Sequence, residues 1–399
     1  MKFVRNALDK VKPHFEKGGK WEKFYYIYEA HETLLFAPNT TTKPKGVQVR
    51  DAIDMKRMMM TVIIAMIPCL LFGIWNAGHQ HYLATGQAAD LVGELLVGAT
   101  LVIPIVVVSY MVGLGIEFTF ATIRRHDVNE GFLVTGMLIP LVVPATIPLW
   151  QVALATAFAV IIGKEVFGGT GMNILNVALT ARAFLYFAYP SQISGDVWSY
   201  VGDGAAVDGF SGATPLALGA ESLATGENLV GTMSSFGQGW ADGIYSLQNM
   251  FIGIMPGSIG ETSTLMCLIG AAVLIISGVG SWKVIFSVFA GAFVMGSLVS
   301  AIGGNPYMEM PAHYHLVIGG LAFGAVFMAS DPVTAAQTET GKWIYGFLIG
   351  ALTIIIRVFN PAYPEGIMLA ILLMNVFAPL IDYFVVSANK KRRLQRASV

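Results

Sequence analysis

Ten stretches of this chain are apolar over enough consecutive residues to be read as bilayer crossings, and that pattern constrains the fold more than any motif. A helix needs about 20 apolar residues to cross the hydrocarbon core. Inside that core every backbone N–H and C=O must be bonded within the protein, which leaves helices or closed barrels. Windows of about 19 residues place spans at 58–76, 92–122, 131–147, 150–167, 173–189, 264–281, 284–302, 314–330, 343–359 and 366–387. The second run is too long for one straight helix, and Pro104 or the Gly113 to Gly115 region is expected to break it. Met250 to Met255, ahead of Pro256, is a candidate re-entrant half-helix. Charged residues make up only 12% of the chain, against about 25% in a soluble domain, and the mean hydropathy is +0.64. The expected fold class is an all-α polytopic membrane protein of about ten transmembrane helices.

Basic residues orient the spans. Twelve of the 24 Lys and Arg lie within residues 1–57, and five more are Lys390, Lys391, Arg392, Arg393 and Arg396. Cytoplasmic loops carry the excess of Lys and Arg, so both termini are expected on the cytoplasmic side, with an even number of crossings. The first 55 residues are polar and show no signal peptide, so the first span is expected to direct insertion. The organisation read from this is a cytoplasmic segment (1–55), a first membrane half of about five spans (56–189), an outer-side loop (190–263), a second half of about five spans (264–387) and a basic tail (388–399). The outer loop is Gly-, Ser-, Ala- and Thr-rich, too weakly apolar for a large core of its own. The stretch from Gly18 to Pro38 mixes aromatic, acidic and basic residues, as an amphipathic helix at the interface, against a partner or simply in solvent would.

Ionisable groups at the bilayer centre cost about 2.5–3.5 kcal/mol each, so each marks a pathway or a buried pair. The candidates are Glu94, Glu117, Lys164, Glu165, Arg182, Asp331, Arg357 and Asp382. Lys164, Glu165 and Asp331 sit at span ends, where snorkelling to the interface is the cheaper expectation. Glycine clusters are numerous and are read mainly as helix-packing sites. None has the strand–turn–helix context of a nucleotide loop. His313 and His315 read as an interfacial pair, and no metal site is expected because a third ligand at useful spacing is missing. Cys69 and Cys267, far apart in sequence, read as isolated small core residues. "MPGSIGETS", Met255 to Ser263, precedes a span. It could cap that helix through Thr262 or Ser263, or receive a phosphate on Gly257 and Ser258. The net charge of −1 gives no footprint for nucleic acid, and none is expected as a partner.

One stretch of the outer loop, "DGFSGATPL", carries chemistry. Asp208, Gly209, Ser211, Gly212, Ala213 and Thr214 match the pattern Asp-Gly-x-Ser/Thr-Gly-Ala-Thr. It resembles the motif of proteins that carry FMN through a phosphoester to threonine. "HDVNEGF" (126–132), "GKEVFGGTGMN" (163–173), "ARAFLYFAYPSQISGD" (181–196), "PGSIGE" (256–261) and "RVFNPAYPEGIMLAIL" (357–372) extend the likeness over nearly the whole chain. Together they resemble the B subunits of sodium-translocating NADH:quinone oxidoreductases. The related D subunits of Rnf complexes lack an N-terminal segment like "HFEKGGKWEKFYYIYEAHETLLF".

The resemblance implies a urea- and ammonium-channel-like domain of two inverted five-helix repeats in a bacterial inner membrane. It implies covalent FMN on Thr214, a riboflavin, ubiquinone as electron acceptor and Na+ as the transported ion. The implied partners are the other five members of a six-subunit complex and membrane lipid. In the family's lettering those are the A subunit, the flavin-bearing C subunit, the membrane D and E subunits and the NADH-oxidising F subunit. Small Gly212 and Ala213 are expected to let a modifying enzyme reach Thr214. Glu117, Asp382 and then Asp331 are the candidates for the ion path, since hard oxygen ligands suit a hard cation. Quinone is expected near Gly113, Gly115 and Glu117. There the family pattern has two adjacent glycines and this chain has Gly113, Leu114 and Gly115. The rival readings are an Rnf-type D subunit, a proton-pumping variant, and a channel or transporter without redox function.

Overall fold

The computed structural model describes residues 2–36, 46, 53–88, 90–125, 128, 131–193, 197–202, 206–238, 240–360 and 362–397. These residues form helices and connecting turns, with no strand among them. Two N-terminal helices, α1 (Lys2–Val11) and α2 (Tyr25–Leu35), pack against each other. Lys12 and Arg5 both reach Glu32 at 3.2 Å, and the Tyr28 hydroxyl donates to the Leu8 carbonyl at 3.1 Å. Burial pushes the Tyr28 phenol up to about 12, so it stays a neutral donor.

The first membrane helices are α3 (Met55–Thr85), α4 (Leu91–Arg124), α5 (Gly131–Leu141), α6 (Leu149–Gly163) and α7 (Val177–Ala188). Asp54 caps α3 by accepting from the Arg57 amide, and Asp90 caps α4 by accepting from the Gly93 amide. The expected break in the second run does not occur: α4 is continuous over 34 residues through Pro104. Membrane helices tolerate an internal proline because neighbouring groups satisfy the freed carbonyl. A Cβ on Gly78 would overlap the Glu94 carbonyl, and one on Gly98 would overlap that of Ile74. Glycine thus lets α3 and α4 touch backbone to backbone.

The loop after α7 carries α8 (Pro215–Thr225), α9 (Leu229–Ser235) and α10 (Leu247–Ile252). Then follow α11 (Thr264–Ile276), α12 (Trp282–Ile302), α13 (Ala312–Val317), α14 (Leu321–Phe323, continued by a π-turn over Gly324–Met328), α15 (Glu339–Phe359) and α16 (Ile367–Ala397). Helices α12 and α15 are a second glycine-mediated pair, with Gly291 against Phe347, Gly350 against Val288 and Gly346 against Ser287.

Among the described residues six helices are long and apolar enough to cross a bilayer: Met55–Thr85, Leu91–Arg124, Leu149–Phe167, Trp282–Ile302, Glu339–Phe359 and Ile367–Ala397. The other four expected spans are shorter or broken. Gly131–Leu141, Val177–Ala188 and Thr264–Ile276 are half-length apolar helices, and 312–328 is interrupted at Gly319, which has φ +66°. The non-helical continuations at 141–144 and 255–263 are buried in protein, the setting in which irregular backbone is tolerated at membrane depth. Two of them pair directly, the Ile259 amide donating to Val143 O and the Gly260 amide to Leu141 O. The expected half-helix at 250–255 is the six-residue α10 followed by this buried loop.

Helix α3 sets the scale of the molecule. Its 31 residues extend about 46 Å at about 1.5 Å per residue. At its start Arg57 donates to the Thr33 and Leu34 carbonyls of the N-terminal segment. At its far end the Val207 amide donates to Ala84 O, and His81 meets Tyr200 O. The N-terminal helices and the loop bearing Thr214 are therefore fixed to opposite ends of one long helix. Cys69 of α3 and Cys267 of α11 are not isolated, since both are buried with their sulfurs 3.9 Å apart.

Candidate functional site

Thr214 is the N-cap of α8. Its extended backbone (φ −79°, ψ 161°) stops before the helix, its Oγ accepts from the Ala217 amide at 3.2 Å, and Pro215 pre-sets the first turn. Gly209 turns the preceding chain at φ +78°, and the Ser211 hydroxyl accepts from the Ala213 amide at 3.3 Å. Asp208 and Gly209 are exposed, whereas Gly212 and Ala213 are buried. Ala213 packs in a small core with Leu216, Leu229, Tyr245, Tyr307 and Ile318, and the Tyr245 hydroxyl donates to its carbonyl. Its small size serves this packing. That core is shared with residues 307–318, in keeping with a loop too weakly apolar to build one alone.

Thr214 faces a cavity of about 40 Å³ whose far wall contains Gly257, Ser258, Glu261 and Thr262. Three residues singled out from sequence, Thr214, Gly257 and Ser258, thus meet in one place. The Ser263 hydroxyl accepts from the Met266 amide and caps α11. Thr262 does not take that role, and its buried hydroxyl has no hydrogen-bond partner.

Behind the cavity lies a charge cluster that sequence reasoning only half found. Arg182 of α7 donates to Glu261 Oε1 at 2.6 Å and to Glu365 Oε2 at 2.7 Å. Glu365 also accepts from the Gly320 amide at 2.9 Å. Arg357 of α15 donates to the carbonyls of His315, Ile318 and Glu365 at 2.8–3.0 Å. It thereby satisfies the last carbonyls of the broken helix α13, which have no intrahelical partner. The embedded arginines Arg182 and Arg357 stood out in the sequence. Glu261 and Glu365 did not, because both lie just outside the expected spans.

A second cavity, of about 80 Å³, lies toward the start of α3, lined by Met58, Lys164, Asn173, Asn176, Phe327 and Asp331 among others. Asp331 accepts from the Val333 amide at 3.1 Å and from Thr334 Oγ1 at 2.9 Å. The segment from Gly319 to Val333 has one end in each cavity. Between them Phe323 and Phe327 pack at 4.9 Å, both buried.

The other candidates separate. Glu117 and Lys164 form an ion pair with both side chains only 4% exposed. Arg124 holds Glu165 at 2.9 Å. Snorkelling is therefore the wrong description of Lys164 and Glu165, which are buried within pairs. Asp382 accepts from the Gln337 and Thr338 amides and from Thr338 Oγ1, at 2.6–3.0 Å, and so holds Thr338, whose hydroxyl caps α15 by accepting from the Gly341 amide. Glu94 accepts from Trp75 and His79, each at 2.7 Å. His315 is buried and stacks on Tyr307 at 5.9 Å, so it forms no interfacial pair. Gly113 packs on the Phe132 ring, while the space beside Gly115 is open. Glu117 borders a cavity of about 60 Å³ between α2 and α4, lined also by His31, Leu34, Leu114 and Phe118.

These broken helices and buried charge pairs define an integral membrane protein of the kind whose irregular backbone lines internal cavities. The profile of the NQR2, RnfD, RnfE family matches residues 42–391, and the chain belongs to that family. It is 50% identical to the B subunit of the Na(+)-translocating NADH-quinone reductase of Chromohalobacter salexigens, over 98% of this chain and 96% of that protein. The corresponding B subunits of Stutzerimonas stutzeri and Pseudomonas aeruginosa are 49% and 48% identical over 98% of this chain and 99% of theirs. The resemblance to B subunits therefore holds, and it includes the N-terminal residues that precede the family profile.

Proposed function

We propose that this chain is the flavin-carrying membrane subunit of a Na+-translocating NADH:ubiquinone reductase of a bacterial inner membrane. The observation that carries the reading is the placement of Thr214, the N-cap of α8, over a cavity walled by Gly257 and Ser258. The residues fit an FMN phosphoester. The Thr214 oxygen is the attachment atom, and the first amides of α8 favour a negative group beside it. When bound there, FMN would supply one- and two-electron chemistry while the protein supplies position and electrostatics. A riboflavin and the C, D, E and F subunits complete the proposed electron path, with the A subunit a further partner in the complex.

The ion path in this reading follows the segment from Gly319 to Val333, from the Asp331 cavity past Phe323 and Phe327 to the cavity at Thr214. Glu117 and Asp382 flank its inner end through the Lys164 pair and the Thr338 contact. Both termini lie on the cytoplasmic side, and ten crossings divide into two inverted halves around the 190–263 loop. Ubiquinone occupies the space between α2 and α4, where Glu117 and His31 border an otherwise apolar cavity. The test is NADH-driven uptake of 22Na+ by inverted membrane vesicles. Uptake that persists with a protonophore and is lost in Thr214→Ala is expected. Uptake abolished by the protonophore would replace sodium with protons as the primary ion, and uptake unaffected by Thr214→Ala would remove the flavin role.

A further inference from the structure

The N-terminal segment mixes aromatic and basic residues that neither the flavin nor the ion path uses. In the folded chain its residues from Phe15 to Tyr26 and the last turn of α4 enclose a cleft of about 1340 Å³. Four cations line it, Lys17, Lys20, Lys23 and Arg125, against two carboxylates, Glu16 and Glu22, which leaves an excess of two positive charges. The Glu22 carboxylate accepts from the Gly18 amide at 3.0 Å. Among the described residues none of the four cations is in an ion pair.

The same cleft has an apolar side that continues onto the bilayer. Ile123, on the last turn of the membrane-crossing helix α4, is 72% exposed, and Trp21 and Phe24 are 46% and 49% exposed. The Trp21 ring is held between Phe15, at 5.4 Å, and His14, at 6.0 Å. The Tyr26 hydroxyl donates to the Arg125 carbonyl at 2.8 Å and so ties this segment to the end of α4. Aromatic rings gather at headgroup level, and basic pockets beside membrane helices bind anionic headgroups.

Arg125 adds an independent observation. Among the described residues it is the one non-glycine residue with a positive φ, +57°, where it ends α4 with its amide bonded to Ala121 O. Glycine would close the helix there at lower cost. The guanidinium is thus brought to the cleft by a backbone conformation that disfavours it.

We propose that this cleft binds one anionic phospholipid, with its phosphate among Lys17, Lys20, Lys23 and Arg125 and its chains running past Trp21, Phe24 and Ile123. An acidic protein would match the cations, but the apolar side of the cleft is continuous with the lipid-exposed end of α4. The lipid ties the pair of helices α1 and α2 to the bilayer. Each Lys or Arg beside an anionic headgroup strengthens attachment about fivefold. The inference is independent of the flavin on Thr214.

The experiment reconstitutes the purified complex into phosphatidylcholine vesicles doped, at equal fractions, with phosphatidylglycerol or phosphatidylcholine that carries a diazirine on one chain. After irradiation, cross-links are mapped by peptide mass spectrometry. Ile276, 86% exposed at the end of α11, reports ordinary lipid contact. Labelling of residues 15–26 and of Ile123 by phosphatidylglycerol is expected to exceed that by phosphatidylcholine about fivefold or more, with equal labelling at Ile276. That preference is expected to fall about threefold or more when Lys17→Gln, Lys20→Gln and Lys23→Gln are combined. The same fall is expected in Arg125→Gly, which keeps the helix end and removes only the cation. Equal labelling by the two lipids in the wild type, or an undiminished preference in both variants, would overturn the inference. So would the absence of labelling by either lipid in this segment, which would assign the cleft to a protein neighbour.

Discussion

The pair of Glu117 and Lys164 allows a prediction worked from the structure. The two groups belong to different segments, α4 and the end of α6, and each side chain is 4% exposed. Glu117→Gln keeps the shape but leaves the Lys164 ammonium buried beside a neutral amide. Breaking such a pair from one side costs about 3–5 kcal/mol. The cost of a lone charge at the bilayer centre, about 2.5–3.5 kcal/mol, is of the same size. About 3 kcal/mol is a large share of a total stability of about 5–15 kcal/mol, and corresponds to roughly a hundredfold in the folding equilibrium. Replacing both partners together, Glu117→Leu with Lys164→Met, removes the buried charges and should return stability to within about 1 kcal/mol of wild type or above it. The assay is a reversible SDS titration in mixed micelles followed by tryptophan fluorescence. A single variant as stable as wild type, or a double variant no better than the single one, would refute the account of this pair.

Other predictions concern groups with distinct roles. Asp382→Asn loosens the turn that holds Thr338, the N-cap of α15, because Asp382 accepts from the amides at 337 and 338; a loss of about 1–2 kcal/mol in the same titration is expected. If Asp382 and Asp331 also serve the ion path, Asp382→Asn and Asp331→Asn raise the sodium concentration needed for half-maximal turnover while leaving covalent flavin unchanged. Wild-type sodium kinetics in both would assign them to structure alone. Gly350→Ala drives a methyl group into the Val288 carbonyl, and should cost about 1–3 kcal/mol by overpacking. Gly115→Ala, where the space is open, should be nearly neutral in the same measurement.

Much of the architecture was legible because bilayer length and backbone satisfaction leave few choices. The six long helices follow directly from apolar length. The shorter ones did not, because a hydropathy window averages across Pro140 to Pro144, Asn176 and Gly319, where the helices stop but the apolar run continues. Pro104 misled in the opposite sense, since proline ends a water-exposed helix more readily than one supported by neighbours. At the site, Thr214 was readable from its motif, and Gly257 and Ser258 from their place before a helix. The partners of Arg182 lie 79 and 183 residues away in sequence, so neither spacing nor periodicity could join them. Long-range pairing of buried charges appears only once the chain is folded. The same limit hid the meeting of Cys69 with Cys267.

The central claim is that Thr214 carries the flavin. Intact-mass spectrometry with peptide mapping, on protein produced together with a flavin transferase, tests it most directly. The account predicts a mass increase equal to FMN less one water, confined to the peptide that contains Thr214. An unmodified Thr214 peptide under those conditions, or FMN mapped to another residue, would contradict it.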